Sequence, residues 1–491
     1  MRAWRTSNAK PDSKPYRRAP LIVNSFPSAG GAKVSVTPTS TGLKRELKNR
    51  HIQLIALGGA IGTGLFLGSA SVLKAAGPAM ILGYAVAGFI IFLIMRQLGE
   101  MLAEEPVAGS LSHFAGRYWG KFPAFLSGWN YWALYVLAGM AELTAAGEYV
   151  RYWWPDVPTW VTALVFFTAI TGVNLSSVKY YGETEFWFAL IKVGAVIAMI
   201  VFGGYLLLSG KGGPQASVSN LWSDGGFFPH GVGGLFMTMA VIMFSFGGLE
   251  LIGMAAAETQ DPQKTIPRAV NQVIYRVLIF YIGSLLVLLS LYPWSKVAAG
   301  GSPFVMIFEQ IGAGFAAHGL NFVVLTAALS VYNGGVYATS RMLFSLAQQG
   351  NAPKSMARLD KRGVPVNATL LSALATFAGV VLNYLLPSGA LALLMSLVVT
   401  ALVINWALIS LTHMKFRRAQ GGRKLVFASL WHPFSNWLCL AFMLMILGVM
   451  LFTPGVAVSV YVLPAWLLVL WLGFRLKRPG ADAAGLAVDK A

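Results

Sequence analysis

Gly58-Gly59-Ala60-Ile61-Gly62-Thr63-Gly64-Leu65-Phe66 lies in the middle of the first long apolar run of this chain, and its reading decides the fold. Four glycines fall in seven residues, 58–64. Each costs about 1 kcal/mol against alanine in a helix interior, so the stretch predicts a helix that is broken. A second stretch of the same kind, Phe244-Ser245-Phe246-Gly247-Gly248-Leu249-Glu250, sits near the middle of a later apolar run. Broken backbone at membrane depth is tolerated only where it lines a cavity or is buried in protein.

The surrounding sequence is that of a membrane protein. Hydrophobic residues make up 56% of the 491 and charged residues only 11%, against about 25% charged in an ordinary soluble domain. Twelve apolar segments are read, at 52–76, 79–98, 122–147, 157–175, 184–208, 231–257, 270–291, 315–346, 366–386, 391–413, 433–452 and 456–474. Most are about 20 residues long, enough to cross a hydrocarbon core of roughly 30 Å. The runs are continuous rather than alternating, which excludes a β-barrel. The fold class expected is all-α and polytopic, with twelve transmembrane helices. The two breaks open segments one and six, at the start of successive five-helix units. That placement predicts a 5+5 inverted repeat with discontinuous helices 1 and 6, plus two additional helices.

The net charge of +19 raises nucleic acid as a partner. Topology explains it instead. With both termini in the cytoplasm, the outer loops hold only Lys74, Arg151, Lys211 and Lys296. The clusters Lys354, Arg358, Lys361, Arg362 and Lys415, Arg417, Arg418, Arg423, Lys424 then face inward, as the positive-inside rule requires. No nucleic acid is called for. Residues 1–42 are a basic stretch without a secretory core. They read as a disordered cytoplasmic tail or an extension from a misassigned start, with a membrane-surface anchor as the alternative. Residues 43–210 form the first repeat half, 211–414 the second, 415–476 the last two helices and 477–491 a cytoplasmic tail. The single cysteine, Cys439, permits no disulfide within one chain.

Two breaks facing one another suit a zwitterion. Freed amides at Gly62, Thr63 and Gly64 open the second half-helix of segment one and would bind a carboxylate. Freed carbonyls of Ile61, Phe244 and Ser245 would bind an ammonium. The plain alternative is that these glycines only let helices pack closely. Phe244 and Phe246 flank the second break and could touch a substrate ring. Ala138, Met140 and Asn333 complete the candidate side-chain pocket. Lys192 lies about eight residues from the cytoplasmic end of segment five, roughly 12 Å deep. An ammonium there is expensive. It is a candidate proton carrier and brace for the first break, or else a partly snorkelled lysine at a helix contact. Glu142 and Glu250 are further intramembrane carboxylates, candidates for proton coupling or for structural hydrogen bonds. Arg341 ends segment eight as a cytoplasmic gate or anchor.

No enzyme is expected. The histidines at 51, 113, 230, 318, 413 and 432 are scattered. There is no H-E-x-x-H or comparable constellation, so neither metal nor cofactor is expected. A transporter-like sensor would favour a large soluble domain, which the two short tails do not supply.

The stretch from Ala76-Gly77-Pro78 to Gln97-Leu98-Gly99-Glu100, continued by Glu104-Glu105-Pro106-Val107-Ala108-Gly109-Ser110, resembles the signature of amino acid permeases of the amino acid–polyamine–organocation (APC) superfamily. The likeness runs from about residue 43 to residue 478. Asn49 to Leu57, Ser127-Gly128-Trp129-Asn130-Tyr131-Trp132, Met243 to Leu251 and Ser330-Val331-Tyr332-Asn333 are similar to the bacterial aromatic amino acid and phenylalanine permeases. The resemblance implies a LeuT/APC-like 5+5 repeat, alternating access, proton symport, and uptake of phenylalanine, tyrosine and tryptophan across the inner membrane. It also implies a proton-coupling role for Lys192 and a substrate-closing role for Phe244. Gly334 departs from the serine usual there, and Ala338-Thr339 from a more polar pair. Histidine or another neutral amino acid is therefore the alternative substrate. Oligomeric state is not readable.

Overall fold

The computed structural model describes residues 61–477, apart from 108, 257–260, 298–300 and 387–388. The expected N-terminal tail, the residues through Ala60 of the first break, and the tail from 478 onward lie outside the described residues. Among those described there is no strand. Helices are what a lipid-facing chain can form, because each backbone N–H and C=O then finds a partner within its own segment.

The elements run in the following order. A π-helical turn, Gly64–Gly68, leads into α1 (Ser69–Ala76), followed by α2 (Met80–Glu104) and the short α3 (Ser110–Tyr118). Then come α4 (Lys121–Arg151), α5 (Thr159–Ser176) and α6 (Val178–Leu208). The second break separates α7 (Gly231–Phe244) from α8 (Leu251–Ala255). α9 (Pro262–Arg276) passes through a π-helical stretch, Val277–Gly283, into α10 (Ser284–Leu291), and α11 (Pro303–Gln310) follows. The last five are α12 (Gly314–Gln348), α13 (Val366–Leu385), α14 (Ala390–Gln420), α15 (Phe434–Phe452) and α16 (Ala457–Leu476).

Nine stretches among the described residues are long and apolar enough to span a membrane, where twelve segments were read. The differences have physical reasons. Segments one and two fall in one apolar stretch, Gly64–Glu104, interrupted at Gly77. That residue has φ +56°, and a Cβ on it would lie 2.5 Å from Pro229 Cγ, so both conformation and space demand glycine. Segment three is α4, whose interior carries the buried polar residues Ser127, Asn130, Glu142 and Thr144. It packs on α12, α14, α3, α5 and α13, so protein rather than lipid surrounds much of it. Segment six is split by its break. The outer helices show the opposite bias. α16 exposes Tyr461, Val462, Leu468, Val469 and Trp471, the apolar surface that hydrocarbon would cover.

At the end rich in arginine, buried carboxylates tie α2 to its neighbours. Glu100 is fully buried and receives Arg417 Nη2 at 3.0 Å, His413 Nε2 at 3.1 Å and the Ser429 amide at 2.5 Å. Just past α2, Glu105 accepts hydrogen bonds from Tyr118 Oη at 2.6 Å and Arg117 Nη1 at 2.7 Å, with His113 Nε2 at 3.7 Å. Burial pushes the Glu105 carboxyl up. The bonds from His113 and Tyr118 and the Arg117 charge outweigh that, holding it below its ordinary value. A carboxyl depressed by folding stabilises above its unfolded pKa, and the benefit disappears as pH falls. Amide protection of α3 is therefore expected to drop below about pH 4. Glu105→Gln should remove that pH dependence and speed exchange roughly fivefold at neutral pH, about 1 kcal/mol after allowing for the exposure of Arg117. Hydrogen–deuterium exchange of residues 110–118 measures both, and unchanged exchange in the variant would refute the anchoring role.

Candidate substrate site between two helix breaks

The second break is made of tightened turns. After α7, Ser245 N bonds Ile242 O, Phe246 N bonds Met243 O and Gly247 N bonds Phe244 O, each at 3.1 Å. These three-residue steps replace the four-residue steps of an α-helix. Gly248, at φ +105°, then takes a conformation that side chains oppose. At the first break, Ile61 and Gly62 are non-helical and helix begins at Thr63. The breaks touch each other. A Cβ on Gly64 would stand 2.5 Å from Ser245 Cα and 2.8 Å from Phe244 Cδ1. One on Gly62 would stand 2.8 Å from Val331 Cγ2 and 3.3 Å from Glu142 Oε1.

Polar side chains from the surrounding helices hold this irregular backbone. Lys192 on α6 is fully buried; its Nζ donates to Ile61 O at 3.1 Å and to Ser330 Oγ at 2.9 Å. Ser330 Oγ in turn donates to Glu185 Oε1 at 2.6 Å, and Asn333 Nδ2 donates to Glu185 Oε2 at 3.1 Å. Glu142 on α4 accepts from Thr63 Oγ1 at 2.5 Å. At the second break, Tyr281 Oη donates to Ser245 O at 2.7 Å, and Tyr135 Oη donates to Glu250 Oε1 at 2.8 Å. Buried charges require such partners.

Between the breaks lies a cavity of about 30 Å³ walled by Leu134, Ala138, Val331, Val398 and Leu402, with Glu142 and Glu250 at its edge. That is about one water's share of liquid volume, far below the roughly 300 Å³ of a small-molecule pocket. The site is closed down. A groove of about 710 Å³ opens on the other side of Phe244, between α1, α7 and α14, with Leu67, Lys74, Met237, Trp294 and Met395 on its walls. Phe244 lines both spaces and is 6% exposed. It is the partition between them.

The structure brings together some of the expected residues and not others. Ile61, Gly62, Thr63, Gly64, Phe244 and Ser245 meet where the breaks touch. Ala138, Glu142 and Glu250 line the cavity. Each carbonyl expected to meet an ammonium already accepts one bond: Ile61 O from Lys192, Phe244 O from Gly247 N and Ser245 O from Tyr281. A carbonyl has a second lone pair for a further donor. Phe246 turns away, stacking on Tyr281 with ring centroids 4.6 Å apart. Met140 lies against Gly379 of α13. Asn333 bonds Glu185 and accepts from Asn174 Nδ2 at 2.8 Å, outside the cavity wall. Sequence reading missed Glu185, which stands seven residues, two helical turns, before Lys192. It also missed Leu134, Tyr135, Val331, Val398 and Leu402.

An apolar chamber between the non-helical Ile61–Gly62 backbone and the break after α7, braced by buried ionisable groups, is the site of a membrane transporter. The sequence matches the family described as Amino acid permease over residues 51–479; the chain belongs to that family, whose members are multi-pass transport proteins and not enzymes. It is 67% identical over 443 residues to the Aromatic amino acid transport protein AroP of Shigella flexneri, covering 90% of this chain and 97% of that one. Identity to AroP of Escherichia coli (strain K12) is 66% over the same length and shares. The Uncharacterized amino acid permease YtnA of Bacillus subtilis (strain 168) is 45% identical over 449 residues, 89% of this chain and 97% of its own.

Proposed function

We propose that this permease is a proton-coupled symporter that imports phenylalanine, tyrosine and tryptophan across the bacterial inner membrane by alternating access. In this reading twelve helices cross, both termini are cytoplasmic, and two five-helix repeats meet at the breaks. The observation that carries it is the contact of Gly64 with Ser245 beside an apolar cavity, the first break being held by Lys192 and Glu142, side chains that can gain or lose protons. The likeness to proteins named for aromatic amino acid transport supports the substrate class. So does the wall of Leu134, Ala138, Val331, Val398 and Leu402, which favours a hydrocarbon ring over a polar side chain.

The residues divide the work. Backbone amides from Gly62 to Gly64 take the carboxylate, and carbonyls of Ile61, Phe244 and Ser245 share the ammonium. Phe244 swings from the groove side to admit the ring. Lys192, carrying its proton, holds the Ile61 carbonyl; giving the proton up to the cytoplasm weakens that bond and frees the first break to move. Glu142, joined to Thr63, couples the same break to α4. One proton descending 100 mV yields about 2.3 kcal/mol, enough for more than tenfold accumulation.

Radiolabelled phenylalanine uptake into proteoliposomes under an inward proton gradient tests the reading. Uptake that collapses with a protonophore and is blocked by tyrosine and tryptophan is expected. Uptake of histidine but not phenylalanine would overturn the substrate, and indifference to the protonophore would overturn the coupling.

A further inference from the structure

Below the small cavity, away from the groove, a file of tyrosines continues toward the arginine-rich end. Tyr135 lines the cavity. Its ring lies 4.8 Å from that of Tyr131, one turn back on α4. On α12, Tyr337 stands six residues, about 9 Å, along the helix from Val331 of the cavity wall, toward Arg341, and Tyr181 lies in the first turn of α6. The rings of Tyr181 and Tyr337 (α12) are stacked face to face, centroids 4.2 Å apart and planes 2° from parallel. Arg341 Cζ stands 4.2 Å from the centre of the Tyr337 ring. Two groups cannot share one face at that distance, so Tyr337 is held between Arg341 and Tyr181. Tyr181 and Tyr337 are each 2% exposed, yet Tyr180, the next residue along α6, is 64% exposed. The stack is thus buried, one residue along the chain from exposed surface at the start of α6.

We propose that Tyr181 and Tyr337 form a second aromatic site on the release side, where the ring of the transported amino acid stacks after leaving the cavity. The proposal rests on the functional reading above and extends it. The stack joins two helices, α6 and α12, so separating them opens it. Arg341 then keeps the ring of Tyr337 in place, with one face presented to whatever enters. An aromatic substrate replaces the lost Tyr181 face with its own, exchanging one stacked pair for another. An aliphatic amino acid offers no such exchange. The site therefore favours release of aromatic substrates over aliphatic ones, a second selection after the cavity. Tyrosine suits the position: its ring supplies the stacking face, and the face does not depend on the hydroxyl.

The test uses the full chain in proteoliposomes with phenylalanine as the probe. Tyr337→Phe keeps a stacking face and should keep the wild-type maximal rate. Tyr337→Leu should lower the maximal uptake rate for phenylalanine about twofold to tenfold, the worth of one aromatic pair, while KM on the loading side and equilibrium phenylalanine binding stay as in wild type. Tyr181→Leu, on the other helix, should do the same and serves if Tyr337→Leu does not fold. Leucine variants that transport at the wild-type rate overturn the second site. So does a Tyr337→Phe variant that fails as badly as Tyr337→Leu, or a leucine variant that loses binding and rate together. A wild-type protein that neither binds nor transports phenylalanine overturns the substrate reading itself, a result separate from any difference among variants.

Discussion

Lys192→Ala is expected to abolish proton-driven accumulation. The ammonium is fully buried on α6 and reaches the Ile61 carbonyl at 3.1 Å and Ser330 Oγ at 2.9 Å. Alanine removes both bonds and leaves Glu185 buried without the cation it shares through Ser330. Removing one member of a buried charged pair costs about 3–5 kcal/mol, so part of the effect will be on folding. The double variant Lys192→Ala, Glu185→Gln separates the two contributions. It should recover part of the lost thermal stability, because Glu185, one of the two buried carboxylates that face the ammonium, is then neutral while Glu142 remains, and still fail to accumulate phenylalanine above the outside concentration. Retention of pH-dependent accumulation by either variant would show that the proton is carried elsewhere.

Gly64→Ala should have an effect of similar size for a different reason. Its Cβ would sit 2.5 Å from Ser245 Cα, and the atom in the way is backbone, which cannot rotate aside. The two breaks would have to separate. Overpacking of this kind costs about 1–3 kcal/mol, which predicts about tenfold to hundredfold weaker phenylalanine binding. Gly194 and Gly204 on α6 are matched controls, since a Cβ on either meets nothing within 4 Å. Alanine there should leave binding unchanged and stabilise the helix slightly. If folded Gly64→Ala protein binds phenylalanine as wild type does, the contact between the breaks is not part of the site.

Glycine clustering made the break after α7 legible without a structure, because glycine in a membrane helix carries a local conformational cost. The long apolar runs made the helices legible for the same reason: burial in lipid acts on each segment separately. The partners of the breaks depend on tertiary contacts and were not readable. Thr63 and Glu142 are 79 positions apart, and Lys192 and Ser330 are 138 apart. Some misses were avoidable. Leu134, Ala138 and Glu142 recur every four residues and line the cavity together; Met140, two positions from Ala138, falls on another face. Glu185 could have been found by asking which carboxylate shares a helix face with Lys192. Phe246 could not, because its direction is set by turns within the break itself.

The closure of the site is lopsided. One ring, Phe244, separates the cavity from the groove, whereas a bonded Tyr135–Glu250 pair, Tyr131 and a stacked pair of rings lie on the other side. Unequal barriers make a carrier a partial rectifier. Loading through the thin side is fast, and back-flux must first disassemble several layers. Microscopic reversibility limits the asymmetry: with no gradient, kcat/KM must be equal in the two directions. A slower turnover in the reverse direction is then matched by a lower KM at the thick side. Such a protein saturates early from the thick side, and its leak stays small and nearly constant as the pool on that side grows.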